Sequence, residues 1–271
     1  TSLRARLLSA PYIVWAAIFI VVPLFIVVYY AFTDRSGAFS LSNITALADY
    51  KDTFIISVWY SVIATVITLV IAYPFAYALS RFGANTQRMM MLLVMLPMWM
   101  NLLIRTYSWM NILERNGIIN NVLAGFGIEP LKMIGTPGAV ILGMVYNYLP
   151  YMILPIYTVM SKLDITLLEA ADDLGANAFQ RLRTLVIPLS MPGVISGITM
   201  VFVPSVSTFY ISQKLGGGKI MLIGDAIERQ IQQQYNYNLG ASISLVLMVM
   251  ILISMAIMNR FASDDAERLV V

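Results

Sequence analysis

Neither cysteine nor histidine occurs anywhere in the chain. Their absence excludes disulfides, Cys/His metal sites, cysteine nucleophiles and histidine general bases. Charge is scarce as well. Asp, Glu, Lys and Arg make up 11% of 271 residues and leave a net +3, too small a surplus to point to nucleic acid. No acidic residue falls inside the long apolar runs, which argues against a secondary transporter coupled to protons or sodium. Ser205 and Ser207 have no lysine within those runs to activate them, so an intramembrane enzyme lacks a nucleophile–base pair. A P-loop is missing too: Gly216-Gly217-Gly218-Lys219 falls short of the G-x-x-x-x-G-K-[ST] spacing, so the chain itself should bind no nucleotide. There is no internal repeat and no low-complexity tract.

What is present is apolar. Hydrophobic residues make up 59% of the chain and mean hydropathy is +0.80, the signature of an all-α polytopic membrane protein. Six runs reach the ~20 residues that cross ~30 Å of hydrocarbon at about 1.5 Å per residue. They cover about 11–33, 53–80 with a kink at Pro74, 89–113 through Pro97, 138–160 with Pro150 and Pro155, 187–211 with Pro204, and 239–260. The first is too long for a signal-peptide core and no small-residue cleavage site follows it, so it reads as retained. Residues 114–137 form a mixed loop whose GIINNVLAGFGI portion is apolar enough to lie in the interface. The whole chain, 1–271, reads as a single membrane domain.

One long segment of the second half is charged and amphipathic instead, Leu163 to Val194. Thr166 and Glu169 have the spacing of a capping box, which predicts a short helix starting near Thr166. Gly175 stands where a helix needs a left-handed C-cap. Asn177 and Gln180 can cap a second helix through Leu185, and Pro188 and Pro192 would mark the opening turns of the next span. The prediction is two short helices meeting at a glycine outside the bilayer.

Candidates for a pathway are more dispersed. Ser205, Thr208 and Ser212 fall at i, i+3 and i+7, one polar stripe on the fifth helix on either side of Tyr210; it reads equally as pathway lining or as a Ser/Thr packing face. Trp99, Tyr107, Trp109, Tyr146, Tyr148 and Tyr151 could pass an organic cation over their faces, or anchor the spans at the interface. Arg105 is the one charge well inside a run, hence a functional candidate by default unless it snorkels to the surface. Glu114, Asp225 and Glu228 could greet a cation, or be solvated loop charges.

The 163–186 loop carries a resemblance. Glu169-Ala170-Ala171, three residues including Asp173, Gly175-Ala176, then Leu185-Val186-Ile187-Pro188 is similar to the EAA signature of importer-type ABC permeases, which usually have Ile and Leu where this chain has Leu185 and Ile187. FAYALSRF, LPMWMNLLIRTYSWMNIL, GTPGAVILGMVYNYLPYMILPIY and FYISQKLGGGKIMLIGDAIERQI resemble the B-type permease subunit of spermidine/putrescine ABC importers. The resemblance implies a type I importer fold of six transmembrane helices in a bacterial inner membrane, with 163–186 as a cytoplasmic coupling loop. It implies a second homologous permease subunit, two ATPase subunits that bind ATP and Mg, an extracytoplasmic binding protein and a polyamine as substrate. Relatives of the same kind carry other small solutes. With six spans the termini, the 81–88 loop and the EAA loop share one side. Of 17 Lys and Arg, nine lie there (Arg4, Arg6, Arg81, Arg88, Lys162, Arg181, Arg183, Arg260, Arg268) and eight on longer segments elsewhere, so the positive-inside preference puts both termini and the loop in the cytoplasm.

Overall fold

Backbone hydrogen bonds have no water to turn to within hydrocarbon, so apolar runs close them internally as helices. The computed structural model describes the backbone of residues 11–268 and the side chains of 11–260. Arg4 and Arg6 lie outside the described residues, as does the side chain of Arg268. Among the described residues the architecture is all helical, with one isolated bridge, Thr33 to Phe39. Five helical segments are long and apolar enough to span: α1 (Pro11–Ala31), α2 (Lys51–Ser80, reached through short turns from Ser42), α6 (Pro137–Met160), α8 (Ala178–Ser207) and α11 (Tyr237–Arg268).

The sixth crossing departs from expectation. The apolar run predicted as one span over 89–113 is two helices, α3 (Ala84–Trp99) and α4 (Leu102–Leu113), and the chain bends by 92° between α3 and the helical stretch Leu102–Gly125 that α4 opens. Pro97 cannot donate to the turn before it, Met100 and Asn101 go extended, and the Asn101 side chain caps α4 by accepting from the Leu103 N–H at 2.7 Å. A short helix, α5 (Ile118–Gly125), follows. Asn120 cinches its loop, donating to the carbonyls of Glu114 and Leu131 at 3.0 Å each and accepting from the Leu131 N–H at 2.8 Å.

α6 is the hub. More than half of its best apolar window, 56%, is buried, against none of α1, and it packs along both α2 and α8. The α8 contact is close because of Gly193 and Gly197. A Cβ on the first would meet the Pro155 carbonyl at 2.7 Å, and one on the second the Met152 sulfur at 2.6 Å. Small residues four apart let membrane helices approach in this way. α1 leans on α11, held there by Asn238, which donates to the Thr33 carbonyl at 2.8 Å, and by Ser242, which donates to that of Ala31 at 3.1 Å.

The second correction concerns α8. Pro188 and Pro192 do stand in the opening turns of the α-helical stretch Ile187–Ser207, but the helix does not begin there: it runs on continuously from the loop helix at Ala178. A wide π-turn at Leu182–Val186 immediately precedes Pro188 and accommodates the proline's missing donor, as another at Ala17–Val21 does before Pro23. The rod is about 45 Å long, so roughly 15 Å of it projects beyond a ~30 Å hydrocarbon layer. It stops at Ser207, four residues earlier than predicted, because Thr208 is extended (ψ 143°).

Candidate functional site

At one end of the bundle, α7 (Ile165–Asp173) and the start of α8 form the 163–186 loop. The cap of α7 is Asp164 rather than the predicted Thr166: the Asp164 carboxylate accepts from the Thr166 N–H at 3.0 Å, and that bond holds it below the usual carboxylate range. An anion there also suits the helix dipole better than a hydroxyl does. The other two caps are as predicted. Gly175 takes φ +78°, its N–H donates to the Asp172 carbonyl at 2.9 Å, and the Ala176 N–H reaches back to Ala171 at 3.0 Å, the two bonds of a Schellman ending. Asn177 and Gln180 cap each other's backbone reciprocally at 2.8 and 2.9 Å.

These bonds lock two helices at a fixed angle. The loop is joined to the bundle through Leu168, which is buried with Met160, Val186 and Ile156. Glu169, Ala170 and Asp173 face outward on α7, with Ala171 and Ala176 half-buried. Flanking Gly175, Leu174 is 88% exposed and Phe179 is 69% exposed, an apolar tip on the loop. Sequence reasoning missed this tip; the signal was two large apolar residues on either side of a turn that no span could bury.

The remaining candidates gather at the opposite end, around the kink that opens α4 and the break that ends α8. After that break come α9 (Tyr210–Leu215) and α10 (Ile223–Glu228). Tyr107 on α4 meets Tyr210 on α9 edge to face at 6.3 Å, and Trp109 meets Tyr146 of α6 at 5.3 Å. Tyr148 donates to the Pro204 carbonyl at 3.3 Å and lies 6.3 Å from Tyr151. Trp99 stands apart at the end of α3, 77% exposed. The polar stripe is split between two helices: Ser205 belongs to α8, Thr208 to the break and Ser212 to α9. Ser205 and Ser212 are fully buried and bond back to the carbonyls of Val201 and Phe209, the habit of packing hydroxyls.

Two charges are buried here. Arg105 does not snorkel outward; it is 8% exposed, and its Nε and Nη1 have no acceptor among the described residues. Asp225, expected in a loop, sits inside α10 at 7% exposure, where it accepts from the Leu222 N–H at 2.8 Å. Burial, reinforced by the neighbouring Glu228, pushes its carboxyl up to about 6. α10 itself is pinned to the bundle by the Ile223 N–H, which donates to Ser57 of α2 at 2.8 Å. Glu228 accepts from Gln213 at 3.1 Å and Gln233 at 3.2 Å, while Glu114 is exposed.

A family described as "Binding-protein-dependent transport system inner membrane component" matches residues 72–263. The spermidine/putrescine transport system permease protein PotB of Haemophilus influenzae is 37% identical over 228 residues, covering 80% of this chain and 79% of that protein. Its counterpart in Escherichia coli is 35% identical over 226 residues, covering 80% and 82%. In fold, a crystal structure of a bacterial ABC transporter involved in the import of the acidic polysaccharide alginate superposes with a TM-score of 0.78 at 16% identity, over 96% of each chain. The chain is therefore a member of the binding-protein-dependent transport system inner membrane component family, a multi-pass ABC importer permease and not an enzyme.

Proposed function

We propose that this permease forms half of the translocation pathway of an ATP-driven importer of polyamines. The observation that carries the substrate is the 37% identity, over 80% of the chain, to a spermidine/putrescine permease. Fold alone could not carry it, since the alginate system has the same fold and moves an acidic polymer. A second homologous permease completes the pathway, two ATPase subunits bind ATP and Mg, and an extracytoplasmic protein delivers the solute. Both termini and the 163–186 loop face the cytoplasm of a bacterial inner membrane.

In this reading Leu174 and Phe179 seat on the ATPase, and Glu169, Ala170, Ala171, Asp173, Gly175 and Ala176 keep the tip rigid. Motion of the ATPase pair then enters the membrane through α8 directly, because loop helix and span are one rod. A hinge at Pro188 would have absorbed it. At the far end, Arg105, Tyr107, Trp109, Tyr146, Tyr148, Thr208 and Tyr210 frame the pathway, and Asp225 and Glu228 supply its negative charge. Ser205 serves helix packing instead, and Trp99 the exposed end of α3.

Arg105 favours one second reading, an anionic solute, because its unused guanidinium donors would suit a carboxylate or sulfate. One experiment separates the two. The complex co-purified through this chain is reconstituted with its binding protein, and ATP hydrolysis is measured with and without spermidine. Stimulation by spermidine is the expected result. Indifference to spermidine with stimulation by an anion would transfer the assignment to the second reading.

A further inference from the structure

Lys214 follows Gln213 on α9 but serves a different neighbourhood. Its ammonium stands 5.2 Å from the Tyr107 ring centre and 5.7 Å from that of Tyr210. The rings meet edge to face, so both present π-density to one point. No carboxylate lies within 4 Å of this ammonium among the described residues. It is held by the two ring faces and by the Tyr107 hydroxyl, and not by an acid. The Tyr107 hydroxyl beside it pushes the Lys214 ammonium further up, so it stays charged at any physiological pH. The place is accessible: Tyr107 is 43% exposed, and Tyr210 and Lys214 are half-buried.

Two tyrosines brought together from α4 and α9 thus form a cradle for a primary ammonium, and the chain fills it with its own. We propose that Lys214 is a tethered occupant of an alkylammonium site formed by Tyr107 and Tyr210, and that a substrate amine enters this part of the pathway by displacing it. The inference rests on the polyamine reading for the identity of the substrate, but the site stands on its own geometry. A side chain on a short tether competes at an effective concentration on the order of millimolar. The flexible four-carbon stem lets its ammonium withdraw when another arrives. The device therefore lowers affinity and sharpens selection: an amine can take over both ring faces, while a neutral solute of the same size gains nothing there.

The test uses the whole complex of permeases and ATPases in nanodiscs, without the binding protein, so that the affinity read belongs to the pathway. Equilibrium binding of radiolabelled putrescine is measured for the unaltered complex, Lys214→Met, Lys214→Arg, and Lys214→Met combined with Tyr107→Leu. Lys214→Met should tighten binding roughly two- to five-fold, the range one exposed cation–π contact commands. Lys214→Arg should bind as the unaltered complex does, and the Tyr107→Leu background should erase the gain. Unchanged or weaker binding in Lys214→Met, a gain that survives Tyr107→Leu, or no amine binding in any variant would overturn the proposal. If binding follows this pattern while spermidine leaves ATP hydrolysis unmoved, the tethered occupant stands and the polyamine assignment fails.

Discussion

The two ends of this permease are built by different means. At the loop end every fixing bond is local: Asp164 to Thr166, Ala176 to Ala171, Asn177 with Gln180. At the far end the fixing bonds join distant parts of the chain: Ile223 to Ser57, Tyr148 to Pro204, and the ring pairs Tyr107–Tyr210 and Trp109–Tyr146. In the proposed reading, a part that transmits force gains from rigidity encoded within the seventeen consecutive residues from Asp164 to Gln180, because it keeps its shape while the helices behind it move. A part that must open gains from contacts between separate helices, because each contact can be made and unmade without melting a helix.

The largest effect should come from the loop end. Replacing Gly175 by valine places a β-branched residue at φ +78°, which costs roughly 1–2 kcal/mol and threatens both bonds of the ending. We expect Gly175→Val to cut solute-stimulated ATP hydrolysis more than about ten-fold, with the amount of membrane-inserted complex unchanged by immunoblot. Loss of insertion instead would make the loop a purely structural element. This is the region the sequence made legible, down to the conformation of one glycine and a reciprocal cap, since a cap depends on residues within a few positions of each other.

The far end was legible only as a list of residue types. Nothing in the run from Met89 to Leu113 announces a 92° bend except Pro97 and an Asn that doubles as a cap. Asp225 read as a loop charge because its burial is created by α10 packing on α2 and α11, which no local pattern records. The contact between Ser57 and Ile223 tests that point. Ser57→Ala leaves a buried N–H without an acceptor, at a cost of about 1–3 kcal/mol. It should lower the melting temperature of the complex by several degrees and loosen protection of the 222–228 amides in hydrogen exchange, with the 164–180 amides untouched. Equal loosening at both ends would erase the distinction drawn here.

Asp225 sharpens the comparison through pH. Its carboxyl titrates near 6 in the fold against 3.8 for the free group. Between those values the native state holds a proton that the unfolded chain has released, so stability falls as pH rises and the loss is complete above about 6. The loss is on the order of 3 kcal/mol. Asp225→Asn keeps an oxygen for the Leu222 N–H and removes the titration. Its melting temperature should exceed that of the unaltered complex at pH 7.5 and change little between pH 5 and 7.5. A variant that melts lower at pH 7.5 would mean that the ionised carboxylate has a partner in the assembled transporter, the second permease or the solute.

The smallest effect should come from the most conspicuous contact in the loop. Arg181 donates through Nη1 to both oxygens of Asp172, at 2.8 and 2.5 Å, joining the two helices across Gly175. The pair invites the reading that it sets the angle. Its partners are 26% and 50% exposed, however, and ion pairs in such surroundings contribute about 0–1 kcal/mol. The backbone bonds on either side of Gly175 already fix the same angle. Arg181→Ala should therefore leave melting and stimulated ATP hydrolysis within about 1 kcal/mol of the unaltered complex, and a double-mutant cycle with Asp172→Ala should return a coupling no larger. A coupling of several kcal/mol would show that the loop is held by side chains after all. Its stiffness would then depend on salt, and the contrast between a backbone-locked lever and a side-chain-assembled mouth would fail at its simpler end.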